Sequence, residues 1–313
     1  MSALLFPGQG SQLVGMGYEF YKDFDLVKKI FKQADEKLNY PISKIILEGP
    51  ENELQLTKNT QPAILTVSYS IFKILKDEFG FDFSSFKYFA GHSLGEYSAL
   101  VCSDSLSFSD ALYLLHERGK AMQEAVPVGM GSMIAVLGMK TSDVNELLKF
   151  KKEDKGVCEI ANDNANGQII LSGNKESVDS FQKELKERKI KSIPLKVSAP
   201  FHCSLMKPAA EKMEAKINNI KFNDPSFKII NNVTAQPQTN SDIIKKLLIE
   251  QIFSTVKWRE SIINMSEKGV TNFVEIGPGK VLTGMVKRTI KEANCFSINS
   301  ITDIKNFKNE FKK

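Results

Sequence analysis

The chain is poor in the residues that build disulfide and metal sites. Its four cysteines, Cys102, Cys158, Cys203 and Cys295, are scattered through 313 residues, with no C-x-x-C pair and no histidine cluster beside them. That spacing argues against a disulfide framework and a metal centre, and it fits a reducing cytoplasm. No apolar run approaches the roughly 20 residues that cross a bilayer. The start, Met1 to Phe6, has no basic stretch and meets Pro7 early, so it does not read as a signal peptide. Charge of one sign is also lacking: 42 basic residues against 37 acidic give +5. A balance that mild and dispersed does not predict nucleic-acid binding, though it suits an acidic protein partner. The lysine-rich end, Lys305 to Lys313, reads as a solvated tail.

What is present is a substantial core, 42% hydrophobic over a length that suits one large domain and a smaller one. The most informative stretch is Gly91-His92-Ser93-Leu94-Gly95. It follows the apolar run Phe86-Lys87-Tyr88-Phe89-Ala90 and precedes Glu96-Tyr97-Ser98-Ala99-Leu100. A strand, a glycine-flanked serine and then a helix former is the setting of a nucleophile elbow. Glycines two positions either side leave room where a Cβ would crowd the backbone. The turn lifts the Ser93 hydroxyl clear of the strand. It also aims the first amides of the next helix, from Leu94 on, at the place where an oxyanion would form.

Other elements follow from spacing. Ala3 to Phe6 is a short buried strand entering a glycine-rich loop, Pro7 to Gln12. Helical periodicity runs from Gly17 to Leu38, Gln61 to Phe79 and Ser109 to Ala125. Strands and helices alternating in this way predict a parallel α/β sheet. The middle reads differently. Strand Ser132–Leu137, helix Ser142–Lys149, strands Val157–Ala161 and Gln168–Ser172, helix Lys175–Arg188 and strand Lys191–Val197 give the order βαββαβ of a ferredoxin-like unit. Asn162 to Gly167 is expected as the hairpin turn. The reading is a small α+β subdomain, 128–198, inserted into a large domain of residues 1–127 and 199–313. Beyond it, Phe227–Val233 and Val270–Ile276 read as strands, and Ser241–Phe253 and Trp258–Lys268 as helices.

A serine hydroxyl needs a base to take its proton. The chain has three histidines, His92, His116 and His202. His92 neighbours Ser93, and adjacent side chains diverge at such a turn, which leaves it a supporting role at most. His116 lies within a helix and reads as a packing or surface residue. His202 follows Ala199-Pro200-Phe201 in a junction loop where a working side chain can be exposed. By elimination His202 is the candidate base. Arg118 has two readings. One is a solvated arginine paired with Glu117 or Glu96. The other is a fork that holds a substrate carboxylate through parallel hydrogen bonds.

Six motifs in order then match a known pattern: Phe6-Pro7-Gly8-Gln9-Gly10-Ser11-Gln12, the Gly91–Tyr97 stretch, Arg118-Gly119, Ala199-Pro200-Phe201-His202, Glu250-Gln251 ahead of Val256-Lys257-Trp258, and Glu275-Ile276-Gly277-Pro278-Gly279. Across nearly its full length the chain resembles the malonyl-CoA:acyl carrier protein transacylases of fatty-acid synthesis and the related acyltransferase domains of polyketide synthases. The resemblance implies an α/β hydrolase-like core with Ser93 as nucleophile and His202 as base and then acid. It implies that the amides of Gln9 and Leu94 form the oxyanion hole, that Arg118 binds the malonyl carboxylate, and that Gln251 supplies the carbonyl that orients the histidine. Phe201 is similar to the residue of malonyl-selective members. The substrates implied are malonyl-CoA and holo-acyl carrier protein, with no metal or redox cofactor, and a cytoplasmic monomer is expected. A serine hydrolase is the alternative the elbow permits. Such enzymes place an acid between serine and histidine in chain order, and the candidates Asp163 and Asp179 fall inside the expected insert. A non-catalytic carrier-binding subunit is a third reading, and it leaves the serine, histidine and arginine set without a purpose.

Overall fold

The strands that end at the glycine-rich loop and at the serine turn are buried along almost their whole length, which is how the strands of a parallel sheet covered on both faces read. The structure, a computed structural model, describes residues 1–150, 156–197 and 199–311. Ser198, the last residue of the expected insert, and Lys312 and Lys313 of the tail lie outside those residues. Strand β1 (Ser2–Phe6) leads to α1 (Tyr18–Asp23), α2 (Asp25–Leu38), α3 (Ile42–Glu48), α4 (Glu51–Gln55) and α5 (Thr57–Lys73), then β2 (Phe86–Gly91), α6 (Gly95–Cys102) and α7 (Phe108–Glu124). A second group follows: β3 (Gly131–Leu137), α8 (Thr141–Phe150), β4 (Cys158–Ala165), β5 (Gln168–Asn174), α9 (Lys175–Glu187) and β6 (Ser192–Pro194). The chain closes with α10 (Lys207–Asn218), β7 (Lys228–Ile230), β8 (Pro237–Gln238), α11 (Ser241–Gln251), α12 (Trp258–Glu267), β9 (Asn272–Ile276), α13 (Val281–Thr289), β10 (Asn294–Ile298) and α14 (Ile301–Phe311).

Two sheets organise these elements. The larger has the order β10-β9-β1-β2-β7-β8 and is parallel except where β8 pairs with β7. The smaller has the order β4-β5-β3-β6 and is antiparallel throughout. It has a core of its own, in which Ile134, Val136, Ile169 and Leu171 pack against Val178, Phe181 and Leu185 of α9. The second half of β4 reaches back to the large sheet's helices. Its Asp163 N–H bonds the Val256 carbonyl at 3.0 Å, and Val256 N–H returns to Ala161 at 2.8 Å.

Several expectations need correction. The six-residue turn at Asn162–Gly167 is a turn of two residues, because β4 continues to Ala165. Two of its polar side chains are answered within the strand: Arg259 grips Asp163 with contacts of 2.8–3.1 Å, and Asn164 meets His92. The helix expected over Gly17–Leu38 breaks at Phe24, which turns extended and sets its ring against Phe79. The helix expected over Gln61–Phe79 starts at Thr57, and its last turn, Ile74–Glu78, is wider than an α-helical turn. The tail is ordered helix α14 as far as Phe311. Ile304 and Phe307 are buried, and Phe311 stacks on Phe86. Among the described residues no helix is long and apolar enough to cross a membrane.

Candidate active site

The parallel strands deliver their carboxyl ends to one place, where ligands settle in open α/β sheets. β1 ends in the Pro7–Gln12 loop, β2 in Ser93, β7 in Asn231-Asn232 and β9 in Gly277. His92 N–H bonds the Phe6 carbonyl at 3.0 Å and so locks the serine turn onto the end of β1. The glycines are required by close approach. A Cβ on Gly91 would lie 1.9 Å from the Gly95 carbonyl, and one on Gly95 would lie 2.2 Å from the Phe6 oxygen. Ser93 takes φ +52°, a left-handed conformation that costs a non-glycine residue about 1–2 kcal/mol. The turn is held from outside. Asn232 accepts the Ser93 N–H at 2.7 Å and donates to the Gly91 carbonyl at 2.8 Å.

The geometry brings Ser93 and His202 together across 109 residues of chain, with Oγ 2.8 Å from Nε2. His202 also sits at positive φ, +57°. Its Nδ1 lies 2.8 Å from the Gln251 backbone carbonyl. A carbonyl only accepts, so Nδ1 carries the proton and Nε2 is free to accept from the serine hydroxyl. Burial and then the charge of Arg118 push the His202 imidazole down to about 3, against the pull of the Gln251 carbonyl.

Arg118 arrives from α7 and is 1% exposed. The expected pairing with Glu117 or Glu96 is not formed. Glu117 binds Lys120 and Lys216, and Glu96 is occupied by Asn231, Asn232 and Gln251. Neutral oxygens hold the guanidinium instead: Gln61 Oε1 at 2.8 Å, Gln251 Oε1 at 2.9 Å and Ser93 Oγ at 3.1 Å. Its Nε is buried without a partner. Burial draws the group below its ordinary value, but a guanidinium keeps its charge. The site therefore contains a desolvated cation with donors to spare. Gly119 lets it get there: a Cβ at that position would meet the Lys58 backbone at 2.6 Å, so α7 can press against α5.

A cavity of about 170 Å³ opens over these groups. Gln9, Leu94, Gln61, Arg118 and His202 line it on one side, with an apolar wall of Met133, Ile170 and Leu195 from the small sheet on the other. Among the described residues no hydrogen bond takes the N–H of Gln9 or Leu94. His92 also lines the cavity, but its Nε2 lies 2.8 Å from Asn164 Oδ1 and its ring packs against Trp258. His116 is a packing residue, and sequence explains its place. Pro62 has no N–H to give the Lys58 carbonyl within α5, and His116 Nδ1 takes that carbonyl at 3.1 Å. Asn232, Glu96 and Gln61 are site residues that the sequence reading missed. The adjacent asparagines at the end of an apolar strand were the available signal, and Glu96 stood in full view inside the serine motif.

Residues 3–312 match the model of the acyl transferase domain. The chain belongs to the acyl transferase domain family. The malonyl CoA-acyl carrier protein transacylase of Bacillus subtilis is 44% identical over 300 residues, which cover 95% of this chain and 93% of that protein. The transacylase of the same name from Escherichia coli K12 is 39% identical over 298 residues, 95% of each. Among solved structures, an acyl-carrier-protein S-malonyltransferase from Bartonella henselae superposes with a TM-score of 0.96 at 38% identity, covering 100% of this chain and 99% of its own. A malonyl-transacylase in complex with a type II polyketide acyl-carrier protein gives 0.93 at 37%, covering 97% of this chain and 98% of its own.

Proposed function

We propose that this chain is a malonyl-CoA:acyl carrier protein transacylase of fatty-acid synthesis that works through a malonyl ester on Ser93. The observation that carries the reading is a serine–histidine pair 2.8 Å apart beside a buried arginine that no carboxylate of the described residues pairs with. Ser93 Oγ attacks the thioester carbonyl carbon and its proton passes to His202 Nε2. The amides of Gln9 and Leu94 hold the oxyanion, and Arg118 holds the free carboxylate of malonyl. The C–S bond then breaks, and the CoA thiolate leaves with the proton from His202. In the second half the carrier's phosphopantetheine thiol gives its proton to His202 and its sulfur attacks the ester. The C–O bond breaks and Ser93 regains its proton. Side chains and backbone amides carry every step of this route, so the reading calls on no metal or redox cofactor. The same reading takes the large sheet as a hydrolase-like core with a nucleophile elbow at Ser93, and 128–198 as a ferredoxin-like insert.

A hydrolase acid is not what His202 meets. Its Nδ1 faces a backbone carbonyl, while Asp163 is bound to Arg259 and Asp179 to Lys175. Offering the protein labelled malonyl-CoA with the holo-carrier separates the readings. Label on the carrier is the expected result, and release as free malonate would overturn it in favour of hydrolysis.

The depressed histidine sets a pH expectation. A group pushed from an ordinary 6.5 to about 3 is neutral, and able to act as base, on both sides of neutrality. Acylation by acetyl-CoA, which has no carboxylate to titrate, should hold level between about pH 8 and about pH 5. A decline centred near 6.5 in stopped-flow rates would contradict it. The same shift adds stability to the fold above pH 6.5, which drains away as pH falls toward about 3.

A further inference from the structure

Among the buried ionisable groups near the site, Glu96 is one that the proposed route leaves unused. Glu96 sits on α6 with no exposed surface. Burying a carboxylate is costly unless hydrogen bonds answer it. Three donors do: Asn231 Nδ2 at 2.7 Å, Asn232 N at 3.1 Å and Gln251 Nε2 at 2.8 Å. Burial still pushes it up to about 7, against the pull of these donors and of Arg118.

We propose that Glu96 is a positioning residue for acyl selectivity: it locks the Gln251 side-chain amide so that the amide oxygen, and not its NH₂, faces Arg118. The proposal rests on the function proposed above. The Glu96 oxygens already accept from Asn231 Nδ2 and the Asn232 N–H, and the ionised group has no proton to give, so the NH₂ of Gln251 turns toward it. The other neighbours of that NH₂ are the Ser93 carbonyl at 3.1 Å and Asn232 Oδ1 at 3.3 Å, which are acceptors too. Oε1 is then left to take the Arg118 Nη2 proton at 2.9 Å. Asn231 cannot turn over to compensate, because its Oδ1 already accepts the N–H of Val233 at 2.8 Å and of Thr234 at 3.1 Å.

The arrangement passes the carboxylate's influence to the guanidinium through one neutral amide. A direct ion pair would neutralise Arg118 and use up its donors. The relay fixes its orientation and leaves Nε and part of the fork for an incoming carboxylate. Glu96→Gln removes the all-acceptor partner. With Asn231 locked, either orientation of the new amide sets a donor against a donor, at Asn231 or at Gln251. Gln251→Met removes the relay amide while keeping the backbone carbonyl that holds His202.

The test is the ratio of malonyl to acetyl kcat/KM with the full-length protein and holo-carrier. Each variant is expected to lower that ratio by roughly 10- to 100-fold, the scale of a hydrogen bond to a charged group. In an Arg118→Ala background Glu96→Gln should leave the ratio where Arg118→Ala alone puts it, because the effect acts through the arginine. Equal losses for both acyl groups, an unchanged ratio, or independent effects in the double variant would overturn the proposal. If Glu96→Gln does not fold, the ratio for Gln251→Met decides, and failure of both to fold makes Glu96 a packing residue and ends the proposal. Wild-type protein that moves no malonyl to the carrier would refute the underlying function instead, so the two failures are told apart.

Discussion

Ser93→Ala is expected to lower malonyl transfer by roughly 10⁴- to 10⁶-fold, the scale on which a serine nucleophile is lost from a serine–base pair. The loss should come without unfolding. Alanine keeps the backbone N–H that Asn232 holds at 2.7 Å, and the left-handed φ of +52° already accommodates a Cβ. What disappears is the one oxygen 2.8 Å from His202 Nε2. Steady-state transfer to the holo-carrier, run beside a thermal melt, is the check. A folded Ser93→Ala protein that retained more than about a hundredth of wild-type transfer would exclude a covalent route through this residue.

The second large effect belongs to Arg118. Its fork is held by two glutamine oxygens and the serine hydroxyl, and no carboxylate of the described residues pairs with it. In the proposed route a malonyl group supplies the missing anion, in a buried site where water competes less. Arg118→Ala should therefore cost malonyl transfer roughly 30- to 5,000-fold, or about 2–5 kcal/mol. Acetyl has no carboxylate to lose, and its transfer should fall far less. The comparison of kcat/KM for the two thioesters checks this. Equal losses would mean that the arginine holds the serine turn rather than the substrate.

Local chemistry was legible from the chain, and long-range partnership was not. The turn at Ser93 could be read because its signals are contiguous in the chain: a strand, two glycines and a helix former. His202 could be found because three histidines leave little choice. Arg118 stayed ambiguous because the groups that hold it, Gln61 and Gln251, lie 57 and 133 residues away. Sequence offered Glu117 and Glu96 as nearer partners, and both are bound elsewhere. The run Asn162-Asp163-Asn164 has turn composition, yet the strand continues through it because Arg259 and His92 answer its polar groups. Composition also misled at the tail, where lysines hid the apolar stripe of Ile304, Phe307 and Phe311 that packs α14 onto Phe81 and Phe86. Asn232 carried only the cue of an asparagine pair at the end of an apolar strand, which does not name its partners, since Ser93 and Gly91 belong to a different strand end.

The proposed transfer passes through a covalent intermediate at one hydroxyl, that of Ser93. Incubating the protein with malonyl-CoA in the absence of carrier, quenching in acid and mapping peptides by mass spectrometry tests it directly. The expected result is a malonyl mass on the peptide that contains Ser93, discharged when holo-carrier is added before the quench. A malonyl group found on any other residue, or transfer to the carrier with Ser93 never modified, would contradict it.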